Sequence, residues 1–154
     1  KLLLKHSGIK IGINCNTSLV KKNIPIKFFV NLASVFNFKF IMLQKNFSSE
    51  KVKNSKNILF FQEMDSSNDA FVDSIEIIKK LDLVITSDTS IAHLSATLGI
   101  KTWIVLPFVS DWRWFKDEKK TKWYKNVTLY KSKKIDDWDK PFEDIKLDLK
   151  KLVF

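Results

Sequence analysis

The sequence predicts an α/β fold in which a mostly parallel, Rossmann-like sheet carries helices on both faces. Two observations lead to this prediction. Short continuous apolar runs are typical of buried strands, and the longer segments between them have apolar residues at helical spacing. Strands that alternate with helices favour a parallel sheet covered on both sides. The 154 residues, 45% of them hydrophobic, fit one domain with its own core.

Each element has a local signal in the chain. Six apolar runs are predicted as strands, at residues 10–14, 38–43, 57–61, 82–86, 101–106 and 127–130. Helices are predicted over 25–36, 69–81, 89–98 and 141–152, with a short one within 48–55. The helix over 69–81 is expected to bury Phe71, Val72, Ile75 and Ile78. Pro25 suits a first helical turn, and Gly99 suits the position that closes a helix. Residues 107–125 form a long, aromatic-rich loop.

The charge of the chain is unevenly distributed. The net charge is +10, and residues 1–62 hold eleven lysines against a single acid, Glu50. Such a surface can attract phosphates, nucleic acid or an anionic surface. A lysine-rich composition of the kind that AT-rich genomes encode explains the same excess, since 26 of the 27 basic residues are lysine. No RNA- or DNA-binding motif is present, so a nucleic-acid-binding domain is the weakest interpretation.

Residues 1–9 are expected to be a lead-in or linker, and residues 10–154 one domain. No apolar run approaches the roughly 18 residues of a membrane span, and Leu2 to Leu4 is too short for a signal peptide. The single cysteine, Cys15, excludes an internal disulfide and fits a reducing, cytoplasmic compartment. Cys15 is interpreted as a small packed side chain.

Hydroxyl-bearing residues between the fourth strand and the next helix predict a phosphate site. Ser87, Asp88, Thr89 and Ser90 follow the strand and open the helix. Free backbone N–H groups at a helix N-terminus bind anions, and the Thr89 and Ser90 hydroxyls can also donate. Ordinary N-capping by Asp88 or Thr89 explains the same residues. With His93 they do not suit a hydrolytic triad, so His93 is expected to pack or to hydrogen-bond.

Four segments together resemble a known enzyme family. They are residues 88–94 (DTSIAHL), 106–114 (LPFVSDWRW), 123–130 (WYKNVTLY) and 137–139 (DWD). In order and spacing they are similar to glycosyltransferase family 9, the heptosyltransferase-like enzymes. They resemble most the transferase-like domain that follows tetratricopeptide repeats in bacterial proteins. The resemblance implies the C-terminal, nucleotide-sugar-binding half of a GT-B glycosyltransferase, whose N-terminal domain is absent from these residues.

The resemblance also implies roles for particular residues. Asp88 would contact the donor sugar, and Thr89 and Ser90 would hold the diphosphate. Lys22 matches a basic residue that the family has two positions before a hydrophobic–proline pair, and it would face the phosphates. Lys21 is the second candidate for this role. Asp88 and Lys22 are therefore the candidate catalytic residues, in a transfer that the family favours as inverting. The donor nucleotide-sugar would be the substrate, with no cofactor and no metal.

Two further residues are candidates near the phosphates. Lys45 follows the second strand, as in the repeat-fused group, and would assist the phosphates. Glu50 would hydrogen-bond the ribose hydroxyls, as an acid does after this strand in many nucleotide folds.

The loop after the fifth strand holds the only arginine of the chain, Arg113. A planar guanidinium makes contacts that lysine cannot replace. Arg113 and Asp111 are either an acceptor site or a structural pair that fixes the loop. Trp123, Tyr124 and Trp138 are expected to pack the loop onto the domain.

One departure from the family pattern supports a second interpretation. Residues 14–23 are shorter than the corresponding loop of the repeat-fused group. A non-catalytic binding or scaffold module with a degenerate GT-B domain therefore remains the alternative. The acceptor, whether glycan, lipid or protein, is not named by the sequence. In GT-B enzymes the N-terminal domain supplies the acceptor site and the general base, so this chain alone is expected to transfer little or nothing.

Overall fold

A computed structural model describes residues 8–16, 23–45, 47–52, 55–61, 64–65, 70–115 and 119–152. Six strands are present: β1 (Lys10–Asn14), β2 (Lys39–Met42), β3 (Ile58–Leu59), β4 (Leu83–Ser87), β5 (Thr102–Leu106) and β6 (Val127–Lys131). The helices are α1 (Lys27–Val35), α2 (Val72–Ile78), α3 (Ser90–Thr97) and α4 (Asp139–Lys150). Short 3₁₀ turns cover Ser49–Val52 and Trp112–Trp114. All six predicted strands are confirmed, and the four longer helices are too.

The six strands form one sheet in the order β3-β2-β1-β4-β5-β6, and every neighbouring pair is parallel. The predicted Rossmann-like sheet is thus confirmed and is entirely parallel in these six strands. The chain winds outward from β1 in one direction through β2 and β3, and from β4 in the other through β5 and β6. The reversal lies between β1 and β4. At such a point the connections leave in opposite directions and open a crevice outside the carboxyl ends of the strands.

Helices cover both faces of the sheet because successive strand side chains point to opposite sides. On one face, Ile11, Phe40 and Ile85 pack with α1 and α4 through residues such as Phe29 and Phe142. The Phe142 ring lies edge-on to Phe29, with centroids 5.2 Å apart. On the other face, α2 and α3 cover two further clusters, which include the β2 residue Ile41 and the β5 residue Ile104.

Three predicted details differ from the structure. The strand predicted at 57–61 pairs only at Ile58–Leu59, and the helix predicted over 69–81 is shortened to Val72–Ile78. Phe71 and Val72, predicted to be buried, are 39% and 50% exposed. The reason is the later helix start: Phe71 precedes the helix with a positive φ of 67°, which changes the direction of its side chain. Ile78, from the same predicted face, is fully buried as expected.

Candidate functional site

A cleft of about 720 Å³ opens at the carboxyl edge of the sheet, where the strand order reverses. Its size is typical of a small-molecule site. The ends of β1, β2 and β4 contribute to it, together with the first turn of α3 and residues around α2. The lining residues are Asn14, Asn16, Leu43, Gln44, Lys45, Asp65, Ala70, Phe71, Ser74, Asp88, Thr89, Ser90 and Ile91. The predicted residues Asp88, Thr89, Ser90 and Lys45 are thus brought together in one cleft.

A chain of hydrogen bonds fixes the start of α3 to the ends of β1 and β4. The Asn14 amide donates to the Thr89 hydroxyl at 3.1 Å, and the Thr86 hydroxyl lies 3.3 Å from that of Thr89. Thr86 itself donates to the Ser87 carbonyl at 2.9 Å. Either of the two hydroxyls can be the donor in the contact between Thr86 and Thr89. The Thr89 hydroxyl, which the sequence suggested for a phosphate, is thus held by contacts with Asn14 and Thr86.

The N-terminus of α3 is not capped by the residue that precedes it. Thr89 has an extended backbone, with φ −140° and ψ 174°, and its side chain makes no capping hydrogen bond to the helix. The first N–H groups of a helix have no partner within the helix. Ser90 and Ile91 open α3 and line the cleft, so their N–H groups carry the positive end of the helix dipole there.

The N-terminus of α2 is closed by a carboxylate, in contrast to that of α3. The buried Asp65 accepts hydrogen bonds from the Asp73 and Ser74 backbone N–H groups, at 3.0 and 3.2 Å, and from the Ser74 hydroxyl. Asp73 reciprocates by accepting from the Asp65 N–H at 2.9 Å. The negative charge of Asp65 is thereby compensated, whereas the first N–H groups of α3 receive no hydrogen bond from the Thr89 side chain.

Gln44 joins the ends of β1 and β2 beneath the cleft. Its side-chain oxygen accepts from the Asn16 backbone N–H at 3.1 Å and from the Cys15 thiol at 3.3 Å. Cys15 is buried, at 2% exposure, as expected for a packed side chain. These two contacts fix the orientation of the Gln44 side chain, and Gln44 directly precedes the exposed Lys45 in the chain.

The remaining predicted residues have separate positions. Asp88 is buried at 8% exposure and lines the cleft beside the α3 N-terminus, where a carboxylate is favoured by the helix dipole. Glu50 lies exposed on the 3₁₀ turn Ser49–Val52 and is not among the lining residues, so its ribose role stays a prediction. Lys22 and Lys21 lie outside the described residues.

Sequence reasoning missed several lining residues. Asn14 ends β1 and Gln44 follows β2, both at the carboxyl edge of the sheet, where ligands bind in parallel sheets, so this rule could have identified them. Asp65 gave no comparable signal. Its role depends on its contact with the α2 residue Asp73, eight residues further along the chain.

The loop after β5 is fixed by an ion pair and by aromatic contacts. The Arg113 guanidinium binds the Asp111 carboxylate at 3.1 Å, and the other oxygen of that carboxylate accepts from the Arg113 backbone N–H. The structural interpretation of this pair is thus supported by its geometry, and an acceptor role is untested. Trp123, predicted to be packed, is 56% exposed, although its indole N–H donates to the Arg113 carbonyl at 2.9 Å. Trp138 is buried as predicted.

His93 contacts the loop after β5. Its ring stacks on the fully buried Trp114, with centroids 5.4 Å apart, and its Nδ1 lies 3.0 Å from the Tyr124 hydroxyl. The expectation that His93 packs and hydrogen-bonds is confirmed. It thereby connects α3, whose N-terminus opens into the cleft, to the loop after β5.

The described parts of the chain contain no group of three or more His, Cys, Asp or Glu that could hold a metal ion. No helix among them is long and apolar enough to cross a membrane.

The fold agrees with that of known glycosyltransferase structures. A glycosyl transferase family 9 structure from Veillonella parvula DSM 2008 superposes over 94% of this chain and 39% of its own, with a TM-score of 0.63 and 15% identity. The E. coli heptosyltransferase WaaC with ADP-2-deoxy-2-fluoro heptose superposes over 94% and 44%, with a TM-score of 0.67 and 10% identity. E. coli ADP-heptose lps heptosyltransferase II covers 94% and 46%, with a TM-score of 0.66 and 10% identity.

These similarities show the Rossmann-like α/β fold of a GT-B glycosyltransferase domain, and the chain spans less than half the length of each structure. No protein-family model matches the sequence, and no curated protein matches it either. The similarity to tetratricopeptide-repeat proteins is therefore still an expectation from the sequence motifs.

Proposed function

We propose that this chain is the donor-binding domain of a glycosyltransferase and that the cleft between β1 and β4 holds a nucleotide-sugar. The observation that carries the proposal is the α3 N-terminus, which opens into the cleft at the strand reversal without a cap from Thr89. N–H groups in this arrangement are a binding site for phosphate oxygens. The WaaC structure described above contains an ADP-sugar analogue, and another similar structure of WaaC contains ADP, so ADP is the first nucleotide to test.

The proposed roles follow from the positions of the charges. The Ser90 and Ile91 N–H groups, with the Ser90 hydroxyl, would bind the diphosphate, and Lys45 would offset its charge. Asp88 would orient the donor sugar through its hydroxyls, as the family resemblance implies. A second cation is needed to offset the charge of the diphosphate, because the described lining residues include two acids and one lysine. Lys22 is our candidate for that cation.

The proposed chemical step is an inverting displacement. An acceptor hydroxyl attacks the anomeric carbon, the bond from that carbon to the diphosphate oxygen breaks, and the nucleoside diphosphate leaves. A base takes the hydroxyl proton, and we assign that base to an N-terminal domain. The open helix end and the lysines stabilise the charge on the leaving diphosphate. The isolated chain should therefore bind the donor but transfer little or no sugar.

Calorimetric titration with ADP, UDP, GDP and CMP tests the proposal. We expect saturable binding of one nucleoside diphosphate, weakened about 3–10-fold by Lys45→Ala, because a charge-assisted contact is lost. Lys56→Ala is the matched control, since Lys56 is exposed but does not line the cleft. Lys22→Ala should weaken binding at least as much as Lys45→Ala.

Two results would reject the proposal. Absence of binding at millimolar concentration for all four nucleotides would favour the alternative, a scaffold that kept the fold without the chemistry. Equal losses in Lys45→Ala and Lys56→Ala would mean that nucleotides bind the basic surface and not the cleft.

A further inference from the structure

Gln44 has a side-chain amide whose orientation is set by the protein. The Asn16 backbone N–H can only donate, and it lies 3.1 Å from the oxygen of that amide. The Cys15 thiol donates to the same oxygen at 3.3 Å. Two donors on one atom identify that atom as the carbonyl oxygen of the Gln44 amide.

The nitrogen of the same amide is left for the cleft. An amide NH₂ group can donate two hydrogen bonds. None of the described residues accepts from it, although Gln44 is half-buried and lines the cleft beside Lys45. The cleft thus contains a second set of oriented N–H donors, at the end of β2, in addition to those at the start of α3.

We propose that Gln44 is a specificity residue that donates its amide hydrogens to a phosphate oxygen of the bound nucleotide. This inference rests on the proposed function, because it assigns one more contact to the same ligand. The choice of a phosphate over a sugar hydroxyl follows from the neighbours of Gln44. Lys45 and the α3 N-terminus line the same cleft and bring positive charge to it.

The contacts with Cys15 and Asn16 determine which ligand atoms the Gln44 side chain can bind. A glutamine free to rotate could offer either its oxygen or its nitrogen to a ligand. Because its oxygen is already bound by the protein, Gln44 can only donate to a ligand. It can therefore bind an anionic oxygen, but it cannot accept a hydrogen bond from a hydroxyl group. The oxygen contacts are the positioning element, and the amide nitrogen is the ligand contact.

Replacement by alanine and by glutamate separates the possible ligands. Gln44→Ala removes the donors, and we expect ADP affinity to fall about tenfold, the usual effect of losing a hydrogen bond to a charged group. Gln44→Glu can still accept from Asn16 and Cys15, but it presents a carboxylate to the ligand. Repulsion of the diphosphate should lower ADP affinity by at least another factor of about ten.

The matched control makes the same chemical change elsewhere. Asn31→Asp also converts an amide to a carboxylate, at an exposed position on α1 that does not line the cleft. It should leave ADP affinity within about twofold, because exposed charges at a distance are screened by salt. Thermal unfolding of every variant verifies that it is folded at the titration temperature.

The outcomes for Gln44 and for the proposed function are distinguishable. If the wild type binds no nucleotide, the proposed function fails and the Gln44 assignment fails with it. If the wild type binds ADP and Gln44→Glu binds equally well, the proposed function stands and the Gln44 assignment is wrong. If Gln44→Ala loses affinity but Gln44→Glu retains it, Gln44 contacts a hydroxyl, which overturns the phosphate assignment. Inorganic pyrophosphate, titrated in parallel, should compete with ADP and show the same order of variants.

Discussion

Gly12 is placed where the sheet allows no side chain, and Gly12→Ala should therefore destabilise the domain. Gly12 lies in β1 and is paired with Ile41 on one side and Val84 on the other. A Cβ atom built on it would lie 2.6 Å from Leu43 Cδ1 and 2.6 Å from Leu81 Cδ1, well inside van der Waals contact. Both leucines are buried, so their movement is resisted by the surrounding core.

The expected loss of stability in Gly12→Ala follows from overpacking of the core. Extra methyl groups in a packed core typically cost about 1–3 kcal/mol. For a domain of this size each kcal/mol lowers the melting temperature by about 2–4 °C, so Gly12→Ala should lower it by about 2–12 °C. Urea unfolding followed by circular dichroism measures the free energy, with unchanged slope as evidence that the fold is retained.

A second substitution tests the cause. Leu81→Val removes the methyl group that the new Cβ meets, so the double variant should be less destabilised than the sum of the two single variants. Full additivity, or a Gly12→Ala variant as stable as the wild type, would refute the argument from close packing at β1.

Three further predictions concern the structure around the site. Tyr130→Phe removes the 2.8 Å hydrogen bond to Asp148 and should cost about 1–2 kcal/mol at neutral pH in urea unfolding. Hydrogen bonding, first from Lys151 and then from Tyr130, lowers the Asp148 pKa below its ordinary value of 3.8. The stabilisation from the charged carboxylate is present above that value and is lost as the pH falls through the folded pKa, so the Tyr130→Phe effect should shrink below pH 3.8; a constant effect down to pH 2 would contradict this. Tyr124→Phe should cost about 1 kcal/mol through loss of the 3.0 Å contact with His93, and unchanged stability in thermal unfolding would show that this contact is unimportant. Gly99→Ala should cost about 1–2 kcal/mol, because Gly99 has a φ of 80° after α3, whereas a neutral result would show that the backbone adjusts.

The strands were predictable because their apolar residues form short continuous runs. β1 was predicted with its observed bounds, and β4 and β5 were predicted to within one residue at each end. Parallel strands buried on both faces need side chains that are apolar throughout, so such strands can be recognised from the local sequence pattern. The short pairing of β3 could not be predicted, since strand pairing depends on tertiary contacts, here with Phe40 and Ile41 of β2.

Only part of the candidate site was visible in the sequence. Asp88, Thr89 and Ser90 could be found because they are consecutive at a strand-to-helix junction. The contact between the Thr89 and Thr86 hydroxyls and the orientation of the Gln44 amide depend on contacts between residues from different strands and loops. Contacts of this kind are set by tertiary structure and leave no pattern in a single sequence.

The central claim is that phosphate oxygens bind at the α3 N-terminus. Amide chemical-shift mapping by ¹⁵N–¹H NMR during an ADP titration tests it most directly, because it reports each backbone N–H separately. The account predicts saturable shifts of the Ser90 and Ile91 amides and of the Gln44 side-chain NH₂, with the Asn31 amide unmoved. Shifts confined to the exposed lysine-bearing surface, or none at these three groups while ADP binds, would contradict it.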